Sequence, residues 1–395
     1  MTEPMIVTID NYADARDAYR QKELRQALYD AGEVIMGGVL VNLHGDEHRN
    51  RRRLENRLFR RDTLERYEHE LFPTVIHATL APHIAAGRSE TVSLGHEMMM
   101  NLAALTAGID RPAGTPEETF RLYGYLMCFI EGATLAHYTG DREAKRAEVA
   151  RKLAEFDVEF LAPSIDRRQD VLVAGEEPPV DILTVLLQNT EQLELPHQVV
   201  LREVAFYLLA GAHTSATAFT RTLHRIFTWI ADHPDDAELV RTDTIFVQRC
   251  MHETIRLEPS SPVAMRWALQ DVELKSGLTI PKGAKAVTDL MAVNRDPAVF
   301  GDDAEEFNPH RTIPDGAMPW GLSFGSGMHA CIGGELAGGL FFADGEERGE
   351  HLHGLVPQAV VAMMGAGARP DPDHPAEMDT TTARPYWGTY PVLFD

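Results

Sequence analysis

The clearest helical pattern of this chain lies in the proline-free stretch between Pro196 and Pro234. This stretch of about 37 residues carries apolar side chains on most sides in its middle. It therefore predicts one helix of roughly 50 Å, at about 1.5 Å per residue. A helix of that length and hydrophobicity must cross the centre of a large domain. Gly211 in its middle costs about 1 kcal/mol relative to alanine, and the hydroxyls of Thr214 and Thr217 can bond back to carbonyl groups one turn earlier. We expect something to pack or react at this weakened point.

The remaining chain is predicted to be mostly helical, because proline is sparse over long stretches and apolar residues recur at three- and four-residue intervals. Strand patterns are few and short: Met5 to Ile9, two strands within Val272 to Ala286, and Tyr390 to Phe394. The segment from Pro297 to Phe324 is predicted to be a loop, and loops of that length are often functional. No linker is visible, so the predicted fold class is mainly α with small β-sheets, in a single domain over residues 1–395.

The acidic balance of the chain limits its partners. Lysine and arginine number 37 against 60 aspartate and glutamate residues, a formal charge of −23, which argues against broad binding to nucleic acid or anionic membranes. Three scattered cysteines are too few for a disulfide framework or a zinc site. The N-terminus lacks a secretion signal, and no apolar run of about 18 residues predicts a membrane span. We therefore expect a soluble cytoplasmic protein without a membrane anchor.

Cys331 lies in a glycine-rich segment that runs from Phe324 to Gly334. Glycine allows positive φ and the close approach of other groups. A turn of this kind can direct N–H groups at one sulfur, and those bonds, like a bound metal, favour the thiolate. Taken alone, the pattern is more often that of a buried structural cysteine beside a loop.

Three further features each have a local interpretation when taken alone. Glu253 and Arg256 share one helix face, as in a surface ion pair. Arg266 lies in a short apolar segment, where a guanidinium needs an anionic partner. His48 and Arg52 are one helical turn apart, so one anion could contact both.

The segment from Arg49 to Arg61 is strongly basic. It holds seven arginines in thirteen residues. Taken alone, such a charge run is typical of a solvated helix face.

These pieces occur together in the order and spacing of one known family. The matching segments are a complete Phe-x-x-Gly-x-His-x-Cys-x-Gly signature at Phe324 to Gly333, Glu253-x-x-Arg256, Phe307 to Arg311, Ala210 to Ser215, and Glu47 to Leu54. The chain resembles the cytochrome P450 superfamily of haem-thiolate monooxygenases, in its soluble bacterial form, over about residues 5–340. The joint match outweighs the separate interpretations above.

The resemblance implies the cytochrome P450 fold, with the long central helix over a haem, and it implies which residues hold that haem. Cys331 would be the thiolate ligand of the iron. The propionates would be held by His48, Arg52, Arg266 and His329. Phe324 would pack near the haem and the sulfur, and the tight loop would depend on Gly325, Gly327 and Gly333. Ala210 and Gly211 would bring the central helix close to the distal face.

The resemblance also implies catalytic and structural roles. Thr214 would hydrogen-bond dioxygen or the water beside it. Glu253, Arg256 and Arg311 would form a buried network behind the haem loop. Many members carry an acid immediately before the threonine, where this chain has His213. Because an unperturbed imidazole has a pKa of about 6.5, our hypothesis is that His213 relays protons; the alternative is a histidine without a proton role.

Two regions depart from the family pattern. Members normally have a helix and a strand ahead of the segment resembling Met5 to Tyr19, so the N-terminus is expected to be shortened. After Cys331 the family continues as a long helix, which the glycine pairs at 333–334 and 338–339 are expected to weaken. Ala343 to Glu350 is expected to be a loop insertion, so that residues 341–395 are atypical.

The implied activity is insertion of one oxygen atom of O2 into a C–H or C=C bond, with haem b (iron protoporphyrin IX) as cofactor. Electrons from NAD(P)H would arrive through a separate ferredoxin or flavodoxin and its reductase, since no flavin or iron–sulfur domain fits in this chain. An acidic partner would be attracted by a basic patch of Arg49, Arg51, Arg53, Arg57, Arg60 and Arg61.

The expected substrate is a medium-sized apolar molecule of secondary metabolism, of terpenoid, steroid or polyketide type. The pocket would be lined by Gly32 to Val41, Ala205 to Thr217, Val263 to Met265 and Pro385 to Tyr390. Two other classes stay open. One is a haem-thiolate enzyme that uses peroxide or rearranges its substrate. The other is a non-catalytic haem or ligand sensor that binds nucleic acid through the arginines, against which the net charge and Thr214 argue.

Overall fold

The structure, a computed structural model, describes residues 4–193, 195–341 and 351–395. Helices make up most of these residues. In chain order they are α1 (Tyr12–Ala18), α2 (Glu33–Met36), α3 (Gly45–Glu55), α4 (Arg61–Arg66), α5 (Phe72–Ala85), α6 (Thr91–Ala107), α7 (Pro116–Ala133), α8 (Arg142–Phe156), α9 (Ala162–Ala174), α10 (Ile182–Gln188), α11 (Thr190–Leu193), α12 (His197–Asp232), α13 (Leu239–Thr242), α14 (Thr244–Leu257), α15 (Leu290–Val293), α16 (Pro297–Phe300), α17 (Gly334–Gly338) and α18 (Leu355–Gly365).

The strands are short and form small sheets, as predicted. They are β1 (Ile6–Ile9), β2 (Leu24–Gln26), β3 (Arg88–Glu90), β4 (Val263–Ala268), β5 (Val272–Glu273), β6 (Thr279–Ile280), β7 (Lys285–Asp289), β8 (Arg369–Pro370), β9 (Glu377–Met378), β10 (Trp387–Thr389) and β11 (Pro391–Leu393). The largest sheet has the order β1-β7-β4-β2, in which only β1 and β7 pair in parallel. A second sheet has the order β3-β11-β8, and β10-β9 and β5-β6 are two-stranded.

The long proline-free segment forms α12, one helix of 36 residues, as its sequence predicts. It packs along α6 and also contacts α7, α14 and α18. A Cβ atom on Gly211 would lie only 3.1 Å from the Cβ atom of Ala103 on α6. The glycine therefore permits close contact between two helices, which is a different reason from the approach to a haem that the resemblance implies.

Two hydrophobic clusters hold the segment that precedes Cys331. The larger surrounds α12, and the smaller joins β1, α1, the β4 to β7 strands and α15. Leu322 is buried in the smaller cluster, whereas Trp320 and Phe324 pack against the larger one. The loop is thus anchored on both sides by burial of apolar surface.

The helix after Cys331 is short, as the glycine pairs predict. α17 has five residues, and Gly339, which follows it, has a φ of 74°. The Leu340 N–H donates to the Leu352 carbonyl at 2.8 Å, and α18 begins directly after Gly354. The predicted loop insertion, Ala343 to Glu350, lies outside the described residues.

Candidate active site

The backbone of the Cys331 loop is closed by hydrogen bonds. The N–H of Cys331 donates to the carbonyl of Phe324 at 2.7 Å, and the N–H of Gly325 donates to that of Leu322 at 2.8 Å. Gly325 and Gly327 have φ of 68° and 71°, a region that side chains disfavour. A Cβ atom on Gly327 would also collide with a backbone carbonyl oxygen. The predicted need for glycine is confirmed at these two positions.

Gly333 has a different role from the predicted one. Its φ is −96°, and a Cβ atom there would meet only the Phe59 ring at 3.8 Å. Its backbone N–H instead hydrogen-bonds the thiol of Cys331 and lowers the pKa of that thiol. The position contributes a donor to the sulfur rather than an unusual backbone conformation.

The Cys331 side chain lies on the wall of an internal space. It is accessible to solvent, yet burial by the surrounding protein raises the pKa of the thiol. Arg52 acts in the opposite direction and lowers that pKa, as the Gly333 N–H does. The sulfur is therefore accessible to a bound group, while the surrounding protein disfavours a free thiolate.

Four donor groups converge beside this cysteine without an anionic partner. The rings of His48 and His329 lie 4.4 Å apart, and the Nε2 atom of His48 and both ring nitrogens of His329 are buried without hydrogen bonds. Arg266 is buried, with Nη1 donating to the Oε1 atom of Gln26 at 2.6 Å. Within the described ranges no carboxylate forms a salt bridge with these residues or with Arg52. The structure therefore brings the predicted set together as a cradle of donors suited to an anion.

The electrostatics of this cradle agree with its geometry. Burial, followed by the charge of Arg52, lowers the pKa of His48 to about 4. Burial, followed by Arg266 and His48, lowers the pKa of His329 to about 3. Burial is the larger cause of both shifts, and the facing positive groups add to it; an anion between these groups would oppose the lowering of both pKa values.

The central helix presents an accessible stripe in its middle. Phe206, Ala210, Gly211 and Thr214 are accessible in a helix whose neighbouring residues are buried. The Thr214 hydroxyl donates to the Ala210 carbonyl at 2.8 Å, and the Ser260 hydroxyl donates to the Thr214 carbonyl at 3.2 Å. Accessible residues at i, i+4 and i+8 on a central helix line an internal cavity.

The side chain of His213 points away from that stripe, toward α6. Its Nδ1 atom lies 3.4 Å from Nε2 of His96, whose Nδ1 atom lies 2.9 Å from the Val92 carbonyl oxygen. The Nε2 atom of His213 is buried without a partner. Burial, then His96 and Arg384, lowers the pKa of His213 well below its ordinary value, so the ring is neutral near pH 7.

The Glu253 and Arg256 pair belongs to a buried network, so the surface-pair interpretation is wrong. Arg256 is fully buried, and its Nε and Nη2 atoms donate to the Glu253 carboxylate at 2.6 and 2.7 Å. Arg311 donates from Nε to the same carboxylate at 3.1 Å. The network connects α14 to the loop that leads to Cys331.

The basic patch contains one residue fewer than predicted. Arg51 is buried and donates to the Glu203 carboxylate on α12 at 2.8 Å, because its face of α3 packs on the core. Arg53, Arg57 and Arg60 are exposed and form no salt bridge within the described ranges. The patch is therefore built on these three, together with Arg49 and Arg61, which contact Asp46 and Glu65.

Comparison with known proteins agrees with this geometry. The sequence model described as Cytochrome P450 matches residues 240–339, which contain both the buried network and the cysteine loop. The chain belongs to the cytochrome P450 superfamily. It is 26% identical over 340 residues to pulcherriminic acid synthase of Bacillus subtilis (strain 168), covering 83% of this chain and 78% of that one.

A second relative of this P450 is 6-deoxyerythronolide B hydroxylase of Saccharopolyspora erythraea, 29% identical over 199 residues, which cover 50% of this chain and 44% of that one. The crystal structure of CalO2 has the same fold, with a TM-score of 0.76, 20% identity and coverage of 98% of this chain and 90% of that one. The P450 is thus an enzyme of the monooxygenase family. Among its described helices, none combines the length and hydrophobicity needed to cross a bilayer.

Membership implies haem iron and O2, and the residues present fit a haem. The orphaned nitrogens of His48 and His329 and the unpaired guanidinium groups of Arg52 and Arg266 match the two propionates of that group. Sequence reasoning missed three residues of this region: His96, which lies beside His213, and Tyr29 and Arg384, which lie within electrostatic reach of each other. A lone histidine, tyrosine or arginine has no spacing pattern that identifies it.

Proposed function

We propose that this P450 inserts one oxygen atom of O2 into a C–H or C=C bond of a small organic molecule. The proposal is carried by the accessible Cys331 sulfur, which lies beside converging imidazole and guanidinium donors. The haem, when bound through Cys331, would supply oxygen activation supported by thiolate donation. The protein contributes position, charge and proton supply.

The cradle would fix the haem in one orientation. Charge-assisted hydrogen bonds from His48, Arg52, Arg266 and His329 to carboxylates are stronger than neutral ones. The Gly333 N–H and Arg52 favour the thiolate form of Cys331 by lowering its pKa. Phe324 shields the loop, since its ring packs on Trp320 with centroids 5.2 Å apart.

Thr214 is proposed to donate a hydrogen bond in the cavity during turnover. Its hydroxyl is accessible, and its only hydrogen bond within the described residues goes to a backbone carbonyl of its own helix. We expect Thr214→Ala to lower the yield of product per NAD(P)H consumed. Thr222→Ala is the matched control, because the buried Thr222 hydroxyl makes the same kind of bond, to Ala218 at 2.7 Å. Equal yields in both variants would contradict this role.

His213 is proposed to pass protons as a neutral ring rather than to store one. One nitrogen faces His96 and the other is free, so a proton can enter at one side and leave at the other. We expect His213→Ala to lower the yield per NAD(P)H and to increase its dependence on pH. An unchanged yield at every pH would refute the relay.

Electrons are proposed to come from an acidic ferredoxin or flavodoxin with an NAD(P)H-dependent reductase. Arg53, Arg57 and Arg60 supply the positive surface in a chain whose net charge is −23. We expect the triple change to glutamine to slow reduction and to reduce its salt dependence. Arg151→Gln, on the exposed face of α8, is the control. A reduction rate that is insensitive to both salt and the triple change would contradict this docking site.

The body of the substrate is proposed to be apolar and of medium size. Val263, Ala264 and Met265 of β4 are only half buried, and Trp387 is half buried on β10. We also propose a cytoplasmic location, because Cys128, Cys250 and Cys331 are all free thiols.

Turnover under isotopically labelled O2 tests the reaction. One labelled oxygen atom in the product, lost with Cys331→His, is the expected result. Product formed with hydrogen peroxide but never with electron-transfer partners would favour the peroxide-using class instead. Binding of DNA with a steep salt dependence and no turnover would favour a sensor.

A further inference from the structure

Arg384 is a buried cation with incomplete hydrogen bonding. Only 6% of the residue is exposed. Its Nη1 atom donates to the Tyr386 hydroxyl at 2.8 Å, and the guanidinium lies 5.8 Å from the centre of the same ring. Its Nε atom is buried without any partner. An arginine in this environment needs an acceptor that the protein does not supply.

The Glu258 carboxylate contacts Arg221, which lies over the same Tyr386 ring, and serves two arginines other than Arg384. Glu258 accepts from Nε of Arg225 at 2.7 Å and lies 3.5 Å from Nε of Arg221. Arg221 is further satisfied by three backbone carbonyls, one of them that of Pro385 at 2.7 Å. Across the described residues no carboxylate lies within 4.0 Å of Arg384. Arg221 and Arg225 therefore share the Glu258 carboxylate, and Arg384 has no carboxylate partner among the described residues.

Arg384 lies on the distal side, where the substrate would bind. Tyr386, which accepts from Arg384, donates to the carbonyl of Ser260, and Ser260 donates to the carbonyl of Thr214. Among the neighbouring charges, Arg384 has the largest effect on the pKa values of Tyr29 and His137, and it lowers both. These interactions connect Arg384 with the segment after β2, with the α7–α8 connection and, through Tyr386 and Ser260, with α12.

His137 adds a second unused polar atom on the same side. Its Nε2 atom is buried without a partner, and burial followed by Arg384 lowers its pKa to about 4. The residue is held in place because its carbonyl accepts from the Ala383 N–H at 3.1 Å, next to Arg384. Two buried nitrogen atoms without partners therefore belong to segments that a backbone hydrogen bond joins.

We propose that Arg384 binds a carboxylate on the substrate, so that the substrate is an apolar carboxylic acid held by its anionic end. This inference rests on the proposed function and refines its substrate class. A haem propionate is the other source of a carboxylate. Tyr29 lies within electrostatic reach of both Arg384 and Arg266, so the haem-transfer measurement below is what separates the two sources.

Calorimetric titration of the haem-loaded enzyme with matched ligands tests the proposal. The probes are octanoate, dodecanoate and 4-phenylbutyrate, each compared with its neutral primary amide. We expect at least one carboxylate to bind about 10- to 100-fold more tightly than its amide, as a buried charge-assisted hydrogen bond requires. Arg384→Gln should remove this preference, Arg384→Lys should keep part of it, and Arg151→Gln should leave it unchanged.

Each outcome decides between the alternatives. Equal affinity for carboxylate and amide in every pair of the unmodified enzyme overturns the proposal without any variant. Faster transfer of haem to apomyoglobin from Arg384→Gln, as expected for Arg266→Gln, assigns Arg384 to a propionate and also overturns it. A carboxylate preference that depends on Arg384, in a protein whose ferrous–carbon monoxide spectrum lacks the thiolate band, supports this inference and overturns the proposed function alone.

Discussion

Glu253→Gln removes the only carboxylate that contacts Arg256 in the described structure. Glu253 accepts from two nitrogens of Arg256 at 2.6 and 2.7 Å, from Nε of Arg311 at 3.1 Å and from the N–H of Asn308 at 3.1 Å. Glutamine has nearly the same shape, but it carries no charge and turns an NH2 group toward these donors. Arg311 keeps Asp303 at 2.5 Å, whereas Arg256 is left buried without a counter-charge.

The expected loss of unfolding free energy is about 3 kcal/mol. Breaking a buried pair from one side costs about 3–5 kcal/mol, and the carbonyl acceptors of Arg256, Asn294 at 2.6 Å and Ala304 at 2.8 Å, keep the loss at the lower end. Against a total stability of about 5–15 kcal/mol the variant still folds. Urea unfolding followed by circular dichroism measures the change from the midpoint and the slope m.

The control variant removes an exposed carboxylate of the same kind. Glu305 lies 2.9 Å from Arg295, and its side chain is 76% exposed. Glu305→Gln should therefore change the unfolding free energy by at most about 1 kcal/mol. A loss below about 1 kcal/mol for Glu253→Gln, or equal losses in both variants, would refute the assignment of a buried network.

Two further predictions concern the loop and a buried acid pair. Gly327→Ala should reduce haem binding far more than Gly333→Ala, because only the first has a positive φ and a collision, with the Tyr19 carbonyl; equal haem content contradicts this. Burial and Glu203 raise the pKa of Glu55, and burial raises that of Glu203 to about 7. Folding therefore favours their protonated forms, and the stabilising contribution of this pair should be full below about pH 4.5 and should be lost as the pH rises toward 7. Glu55→Gln should flatten that fall in urea midpoints, and an unchanged slope would show that the pair does not titrate there.

Local sequence patterns predicted those parts of the fold that depend on nearby residues. The bounds of α12 agree with its flanking prolines within two residues, because proline and hydrophobic periodicity act locally. The positive φ angles of Gly325 and Gly327 follow from the glycine-rich turn. Helical spacing also placed Glu253 and Arg256 on one face, although their burial depends on Arg311, distant in the chain.

Features that depend on packing between distant segments were missed or wrong. Arg51 was grouped with a surface patch, yet it faces Glu203, 152 residues away. The helical spacing of His48, Arg51 and Glu55, with Leu58 in the turn that follows, marks a buried face, a signal that the density of arginines concealed. No comparable signal exists for His96 or Arg384, whose neighbours come from other elements.

The ferrous–carbon monoxide difference spectrum of the purified, haem-loaded protein tests the central claim most directly. Thiolate ligation by Cys331 predicts a red-shifted Soret band of the thiolate type, lost in Cys331→His while haem is retained. A band typical of a neutral ligand in the unmodified protein would contradict the assignment of Cys331, and so would a thiolate band that persists in Cys331→His.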